Sequence, residues 1–392
     1  MLSLHSCPLG KLGARDTGGM NVYVRELAQG LGDMGHMVDI YTRAHNSGDL
    51  LITNISKNVR LIHIRAGLVG DLDKMTQFAH LNEFVQGMLD FVEAEGTSYD
   101  LIHSHYWLSG LAGQRLSGIL DVPQVMTFHT LGAIKNGLPI EMQEPKERLD
   151  AESFIALGCQ HVIATTEEEK SWLGRTYGVQ AEKISVVPCG VNLSLFCPMA
   201  RSKARLTLEM VEGEKIILSV GRIEPLKGLT RLVEAMNLLR RSDLRLLVIG
   251  GDTYSTTEIE GLKALAAKLG LSSRVEFLKA IEQKLLPLYY SAVDITVVTS
   301  YYESFCLIIL ESLACGTPVV STRVGVAPEV INKTSMGRIV DGTPEALAQA
   351  LTQILEETGD SDMVNIRRMA VQAYGWAKVS ERMAVAYEAV LV

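Results

Sequence analysis

The stretch "SYYESFCLIILESLACGTPVV" sets two carboxylates, Glu303 and Glu311, on either side of an almost wholly apolar run from Phe305 to Leu310. "DITVVTS" before it reads as a strand and "YYES" as the loop after that strand, so a helix is expected to begin near Phe305. The free backbone N–H groups of Phe305, Cys306 and Leu307 would then face an anion at that helix start. Glu303 would stand at the mouth, and Glu311 two turns in on the face turned the same way. Two acceptors flanking an anion-binding helix end suit a ligand with hydroxyls at two places and phosphates between them, such as a nucleotide sugar. A capped helix with a second, solvated glutamate is the plainer reading of the same pattern.

"VGRIEPLKG" puts Arg222 and Lys227 around a turn at Pro225, directly after another strand. Cations at the carboxyl end of a parallel strand can neutralise a diphosphate leaving group, with Lys227 reaching into an open cleft. As surface residues the same two would simply be solvated. In "PLGKLGARDTGGMNVYV" the pair Gly18-Gly19 opens an amphipathic helix, whose start could cradle a phosphate or merely end a tight turn. Asp16 then caps that turn and Asn21 faces solvent, or both contribute to a site. His129 closes the strand "VMTFHT", where it either enters a cleft or serves as a structural hydrogen-bonder. His5, His103 and His105 also end strands, at spacings that match no metal-ligand set. No G-x-S-x-G, H-E-x-x-H or G-x-x-x-x-G-K-[ST] occurs, and no G-x-G-x-x-G comes after a strand. Hydrolase, zincin, P-loop and nicotinamide chemistries lose support.

The elements that must position these residues form an α/β series. "MLSLHS", "MVDIYTR", "VRLIHIRAG", "DLIHSHYW", "PQVMTFHT", "HVIATT" and "ISVVPCGV" read as strands, most of them separated by helical stretches. The series restarts with "KIILSVGRIEPLKG", "LRLLVIGG", "RVEFLKA", "DITVVTS", "TPVVSTR" and "MGRIV". Two doubly wound parallel halves result, meeting near residues 188–198, with a ligand cleft expected outside the strands' carboxyl ends. A chain of 392 residues, 47% hydrophobic and 6% aromatic, fits two such cores. The net charge of −8 disfavours nucleic acid or an anionic membrane surface as partner. Cys7, Cys159, Cys189, Cys197, Cys306 and Cys315 form no C-x-x-C pair and suggest reduced thiols. With neither a membrane span nor a signal peptide in view, a cytoplasmic location is expected.

"E-S-F-C-L-I-I-L-E" resembles the E-x7-E signature of retaining glycosyltransferases of the GT-B fold, family 4, and "GR-x4-KG" and the C-terminal "YGWAKVSERMAVAYEAV" look like the same family. "HSCPLG…DTGGMNVYVRELA", "HSHYWLSG" and "TFHTLGAIKNG" are similar to the branch holding sucrose-phosphate synthases and the inositol-phosphate N-acetylglucosaminyltransferases of mycothiol synthesis, more so to the latter. The resemblance implies two Rossmann-like domains facing a cleft, residues 1–192 on the acceptor side and 193–372 on the donor side, with a helix over 373–392 packing back on the first. It implies Glu311 on the donor's ribose, Glu303 on its sugar hydroxyls, and Phe305, Cys306 and Leu307 on sugar and phosphate. Arg222 and Lys227 would hold the diphosphate, Gly19 would let its loop approach, and His129 would meet the transferred sugar. His5, Asp16, Asn21, Lys74, Tyr106, Thr130 and Arg148 fall where the inositol-phosphate enzymes hold an anionic acceptor. Arg148 could equally pair on a helix surface with Glu144 or Glu152, four residues away on either side.

Two departures stand out. The family usually has Gly at the position of Cys306, and a G-G pair where this chain reads Gly325-Val326. The expected reaction is retaining transfer of a hexosyl unit from a nucleoside-diphosphate sugar, UDP-glucose or UDP-N-acetylglucosamine, to a sugar phosphate or inositol phosphate, with no obligatory metal or cofactor. A sucrose-phosphate-synthase-like transfer to fructose 6-phosphate, a nucleotide-sugar epimerase and a binding protein without turnover are the rivals. The oligomeric state stays open, a homodimer included.

Overall fold

The computed structural model describes residues 1–13, 16–211, 213–357 and 361–391. It divides into two compact units, one of Met1–Gly10, Gly19–Cys189 and Trp376–Val392, the other of Lys11–Gly18 and Gly190–Gly375. No described helix is long and apolar enough to cross a membrane.

The first unit holds β1 (Val38–Arg43), β2 (Ile52–Ser56), β3 (Val59–Ile64), β4 (Ile102–His105), β5 (Gln124–Thr127), β6 (His161–Ala164) and β7 (Ile184–Val186). β1, β4, β5 and β6 are buried along their whole length, as parallel strands covered on both faces should be. The expected first strand is reduced to one residue, Leu2, which bridges Tyr41 of β1 and Ser104 of β4. That bridge gives the order β2-β3-β1-Leu2-β4-β5-β6-β7, with β2 alone antiparallel. β2 escapes the sequence reading because it is a half-exposed edge without a buried apolar run.

In the second unit β8 (Lys215–Val220), β9 (Leu244–Ile249), β10 (Val275–Leu278), β11 (Ile295–Val298), β12 (Val319–Thr322) and β13 (Gly337–Val340) form one parallel sheet ordered β10-β9-β8-β11-β12-β13. Counted within the unit this is 3-2-1-4-5-6, the doubly wound order. Its direction reverses between β8 and β11, where such sheets hold their ligands.

Six helices carry or brace the residues singled out in the sequence: α1 (Gly19–Asp33), α2 (Lys74–Ala79), α3 (Gly132–Asn136), α4 (Lys146–Gly158), α5 (Leu307–Ala314) and α6 (Trp376–Leu391). α6 packs on α1, with Trp376 edge-on to Tyr23 at 5.7 Å and the Tyr387 hydroxyl 2.6 Å from His103 Nδ1. The apolar face of α6 is therefore buried within the first unit, although it lies at the far end of the chain.

Candidate active site

At the switch point of the second sheet, the loops after β8 and β11 line a small recess that includes Gly221, Arg222, Lys227, Ser300, Glu303 and Ile308. The two loops are laced together. The Tyr301 N–H donates to Leu226 O at 2.9 Å, and the Thr299 hydroxyl donates to Lys227 O at 2.8 Å. Lys227 Nζ lies 2.5 Å from Glu303 Oε1, which also accepts from the Ser300 hydroxyl at 2.6 Å. Each side chain of the pair is only 17% exposed, so Lys227 is enclosed and partnered instead of standing in an open cleft. Burial alone would lower its pKa, but the Glu303 and Glu224 carboxylates more than offset that and raise it. Arg222 is the more exposed of the two cations, at 42%, and it meets Glu224 at 3.1 Å.

The helix expected from Phe305 begins two residues later. Cys306 precedes α5 with φ 74, in the left-handed region, and the Phe305 carbonyl accepts from the Val326 N–H at 2.8 Å. Of the three expected N–H groups, Leu307 alone lies within the helix. A Cβ at Gly325 would sit 2.1 Å from the Phe305 carbonyl oxygen, which explains why glycine stands there, while Val326 is fully buried. Glu311 is not a solvated face residue: it is 7% exposed and accepts from the Tyr290 hydroxyl at 2.8 Å. Burial raises its carboxyl to about 7, with the Tyr290 and Gln283 hydrogen bonds acting weakly against that.

In the first unit, the turns after Leu2, β4 and β5 gather a second cluster. His5 packs on the Tyr106 ring at 4.2 Å between centroids, and burial followed by the charge of Lys74 holds its pKa well below the usual histidine range. Lys74 opens α2, whose approach is pinned by buried Arg43 donating to the carbonyls of Leu68 at 3.0 Å and Gly70 at 2.5 Å. Arg148 on α4 is 1% exposed, and each nitrogen of its guanidinium is engaged. Nε donates to Glu152 at 2.7 Å, Nη1 meets the Tyr106 hydroxyl at 3.1 Å and Glu144 at 2.9 Å, and Nη2 donates to Thr130 O and Oγ1 at 3.0 and 2.9 Å. Both expected glutamate pairings therefore form together, but inside the unit and not on a helix surface. Glu152, fully buried, also accepts from the Gly132 N–H at 2.8 Å and the Tyr177 hydroxyl at 2.6 Å.

His129 Nε2 lies 3.0 Å from His105 Nδ1, and burial holds the His129 pKa at about 3, so it works as a neutral imidazole. Asn21 does not face solvent: it is buried and donates to Ser6 Oγ at 2.7 Å and Cys7 O at 2.8 Å, holding the loop that carries His5. Gly19 is the exposed first residue of α1, and Asp16 lies in the Lys11–Gly18 segment that belongs to the second unit. Backbone strain marks these places. Among the described non-glycine residues, φ is positive at Tyr106, His129 and Cys306, and otherwise only at Asp121, Glu209 and Arg240, where helices end.

Residues 17–195 match the family model described as Glycosyltransferase Family 4, and residues 201–372 the one described as Glycosyl transferases group 1. A D-inositol 3-phosphate glycosyltransferase from Xylanimonas cellulosilytica is 37% identical over 99% of this chain and 95% of its own. The chain belongs to glycosyltransferase family 4. Sucrose-phosphate synthase from Thermosynechococcus elongatus resembles this glycosyltransferase at a TM-score of 0.91 and 32% identity, covering 99% of this chain and 98% of that one. The Anabaena protein HepE, in complex with UDP and glucose, reaches a TM-score of 0.77 at 20% identity over 99% and 98% of the two chains. The fold of the enzyme is GT-B. The sequence reading of this glycosyltransferase did not single out Ser300, Tyr290 or Lys135. Ser300 and Lys135 lie within the quoted stretches, but their pairing with Glu303 and Glu144, like that of Tyr290 with Glu311, is set by the fold.

Proposed function

We propose that this glycosyltransferase moves a hexosyl unit from a nucleoside-diphosphate sugar to a hydroxyl of a small phosphorylated acceptor, with retention at the anomeric carbon. The observation that carries the proposal is the pairing of Lys227 and Glu303 in a recess at the switch point of the second sheet. A diphosphate there would meet Lys227, Arg222 and the start of α5, and Glu303 would accept from the sugar's hydroxyls. The bond from the anomeric carbon to the diphosphate breaks, and the bond to the acceptor oxygen forms on the same face. The acceptor's proton passes to the departing phosphate. The protein supplies position and positive charge where negative charge develops, so the proposal needs no metal.

UDP-glucose or UDP-N-acetylglucosamine is the donor in this reading, with Glu311 on the ribose. His5, Asp16, Asn21, Lys74, Tyr106, Thr130 and Arg148 serve the acceptor, and neutral His129 hydrogen-bonds the transferred sugar. A relative named for D-inositol 3-phosphate supports a phosphorylated cyclitol as acceptor. The likeness to sucrose-phosphate synthase supports a second reading, transfer to fructose 6-phosphate. A panel of the two UDP-sugars and GDP-mannose against both phosphates, read by mass spectrometry and by the anomeric coupling of the product, tests it. An α-linked product from an α-linked donor is expected; an epimerised donor, or binding without turnover, would overturn it.

The Glu311 assignment has a pH signature. Ribose hydroxyls donate to a carboxylate, so binding favours the ionised form of a group whose pKa stands at about 7. UDP binding should release a proton near neutral pH and tighten as pH rises from about 6 to about 8, and Glu311→Gln should weaken binding and flatten that slope. For the unliganded fold the sign runs the other way. The folded value lies above the ordinary 4.5, so stability falls as pH climbs through the window between 4.5 and about 7. Calorimetry in buffers of different ionisation enthalpy checks the proton; an unchanged slope in Glu311→Gln would remove Glu311 from donor binding.

A further inference from the structure

Glu144 stands at the end of the loop between α3 and α4, and its placement is over-determined. Asn136 accepts from the Glu144 N–H at 2.7 Å and donates to its carbonyl at 3.2 Å, fixing the backbone. The side chain then meets two cations with one oxygen: Oε1 lies 2.5 Å from Lys135 Nζ and 2.9 Å from Arg148 Nη1. The same guanidinium holds the Tyr106 hydroxyl and Thr130. A carboxylate thus occupies an anion site built from two cations, one of which also holds two hydroxyl groups.

We propose that the Glu144 carboxylate is an internal stand-in for the acceptor's phosphate, held by Lys135 and Arg148 in the unliganded chain and displaced when a phosphorylated acceptor binds. This rests on the reading of the first unit's cluster as an acceptor site. It separates the two glutamates that Arg148 touches. Glu152 has no exposure and binds a backbone N–H and a tyrosine hydroxyl besides, so it belongs to the scaffold. Glu144 is 15% exposed, and so is reachable from solvent, as is Lys135 at 14%. A phosphate dianion offers the two cations more charge and more acceptor oxygens than the carboxylate does, so the exchange is favourable. A neutral hydroxyl offers neither and leaves Glu144 in place. The stand-in therefore works against unphosphorylated acceptors, and it lowers the apparent affinity for phosphorylated ones by the cost of its own displacement.

The test is a gain of affinity, which damage to the fold would not produce. Inorganic phosphate is titrated calorimetrically into the full chain, its Glu144→Gln variant and the double variant Glu144→Gln with Lys135→Ala. Glu144→Gln keeps the side chain's shape, and should bind phosphate about tenfold more tightly than the parent once competition from the charge is gone. The double variant should lose that gain. The donor recess is the same in all three proteins, so any phosphate it takes cancels in the comparison. Under turnover, KM for a phosphorylated acceptor should fall by a similar factor with kcat within about twofold. Glu144→Ala repeats the measurement should the glutamine variant not fold. Phosphate affinity unchanged or weakened in the variant overturns the proposal and makes Glu144 a brace for Arg148. The titration needs no transfer: tighter phosphate with no active acceptor indicts the acceptor reading, while active transfer with unmoved phosphate affinity indicts the stand-in alone.

Discussion

Lys227→Ala should lower kcat/KM by about a hundredfold or more, equivalent to roughly 2.7 kcal/mol of transition-state stabilisation. Two losses combine. The ammonium that would meet the developing diphosphate charge disappears, and the Glu303 carboxylate, which also accepts from Ser300, loses its cationic partner beside that charge. Because the pair is 17% exposed on each side, water screens it only partly. Glu303→Gln removes the negative charge and replaces one acceptor oxygen for the sugar hydroxyls with a donor, so it should slow transfer while sparing UDP binding. Steady-state rates at saturating donor, beside UDP calorimetry, separate the two. An unchanged rate in Lys227→Ala would take Lys227 out of the chemistry.

Arg148→Ala should destabilise the first unit by about 3–5 kcal/mol, the scale for removing one partner of a buried ion pair. The change strands Glu152, which is fully buried, and leaves the Tyr106 hydroxyl and Thr130 without their donor. Lysine should restore little, because one ammonium cannot reach four partners held in a planar fork. All three tryptophans, Trp107, Trp172 and Trp376, lie in that unit, so urea unfolding followed by tryptophan fluorescence reports it directly. A loss under about 1 kcal/mol would mean that the network is not part of the core. The expected size of the effect also makes Arg148→Ala a poor probe of acceptor preference, for which Glu144→Gln is cleaner.

The parallel strands were legible because strands buried on both faces are rich in apolar and β-branched residues, as "KIILSV" and "DITVVTS" are. β2 was not, since a half-exposed edge strand needs no buried apolar run. The donor motifs were legible because Arg222, Lys227 and Glu303 each come within a few residues of a strand's end, so the strand fixes their place. Glu311 was singled out, but its burial was not legible. Its enclosure depends on Tyr290, 21 residues away in sequence and brought to it by packing. The left-handed backbones at Tyr106 and His129 had no signal, because steric preference would assign glycine to each, whereas at Cys306 the family's usual Gly pointed to it. The pairing of Glu144 with Lys135 required the geometry of the loop between them.

The decisive measurement compares each candidate acceptor with its own dephosphorylated form. Initial rates of UDP release and of product formation are measured for D-inositol 3-phosphate against inositol and for fructose 6-phosphate against fructose, with UDP-glucose and UDP-N-acetylglucosamine in turn. The expected result is nucleotide release that depends on acceptor, with kcat/KM for one phosphorylated acceptor at least about a hundredfold above its plain counterpart, as loss of a phosphate held by several charged contacts implies. Equal kcat/KM for the phosphorylated and plain forms, or release that ignores the acceptor, would contradict a transferase whose acceptor is held by its phosphate.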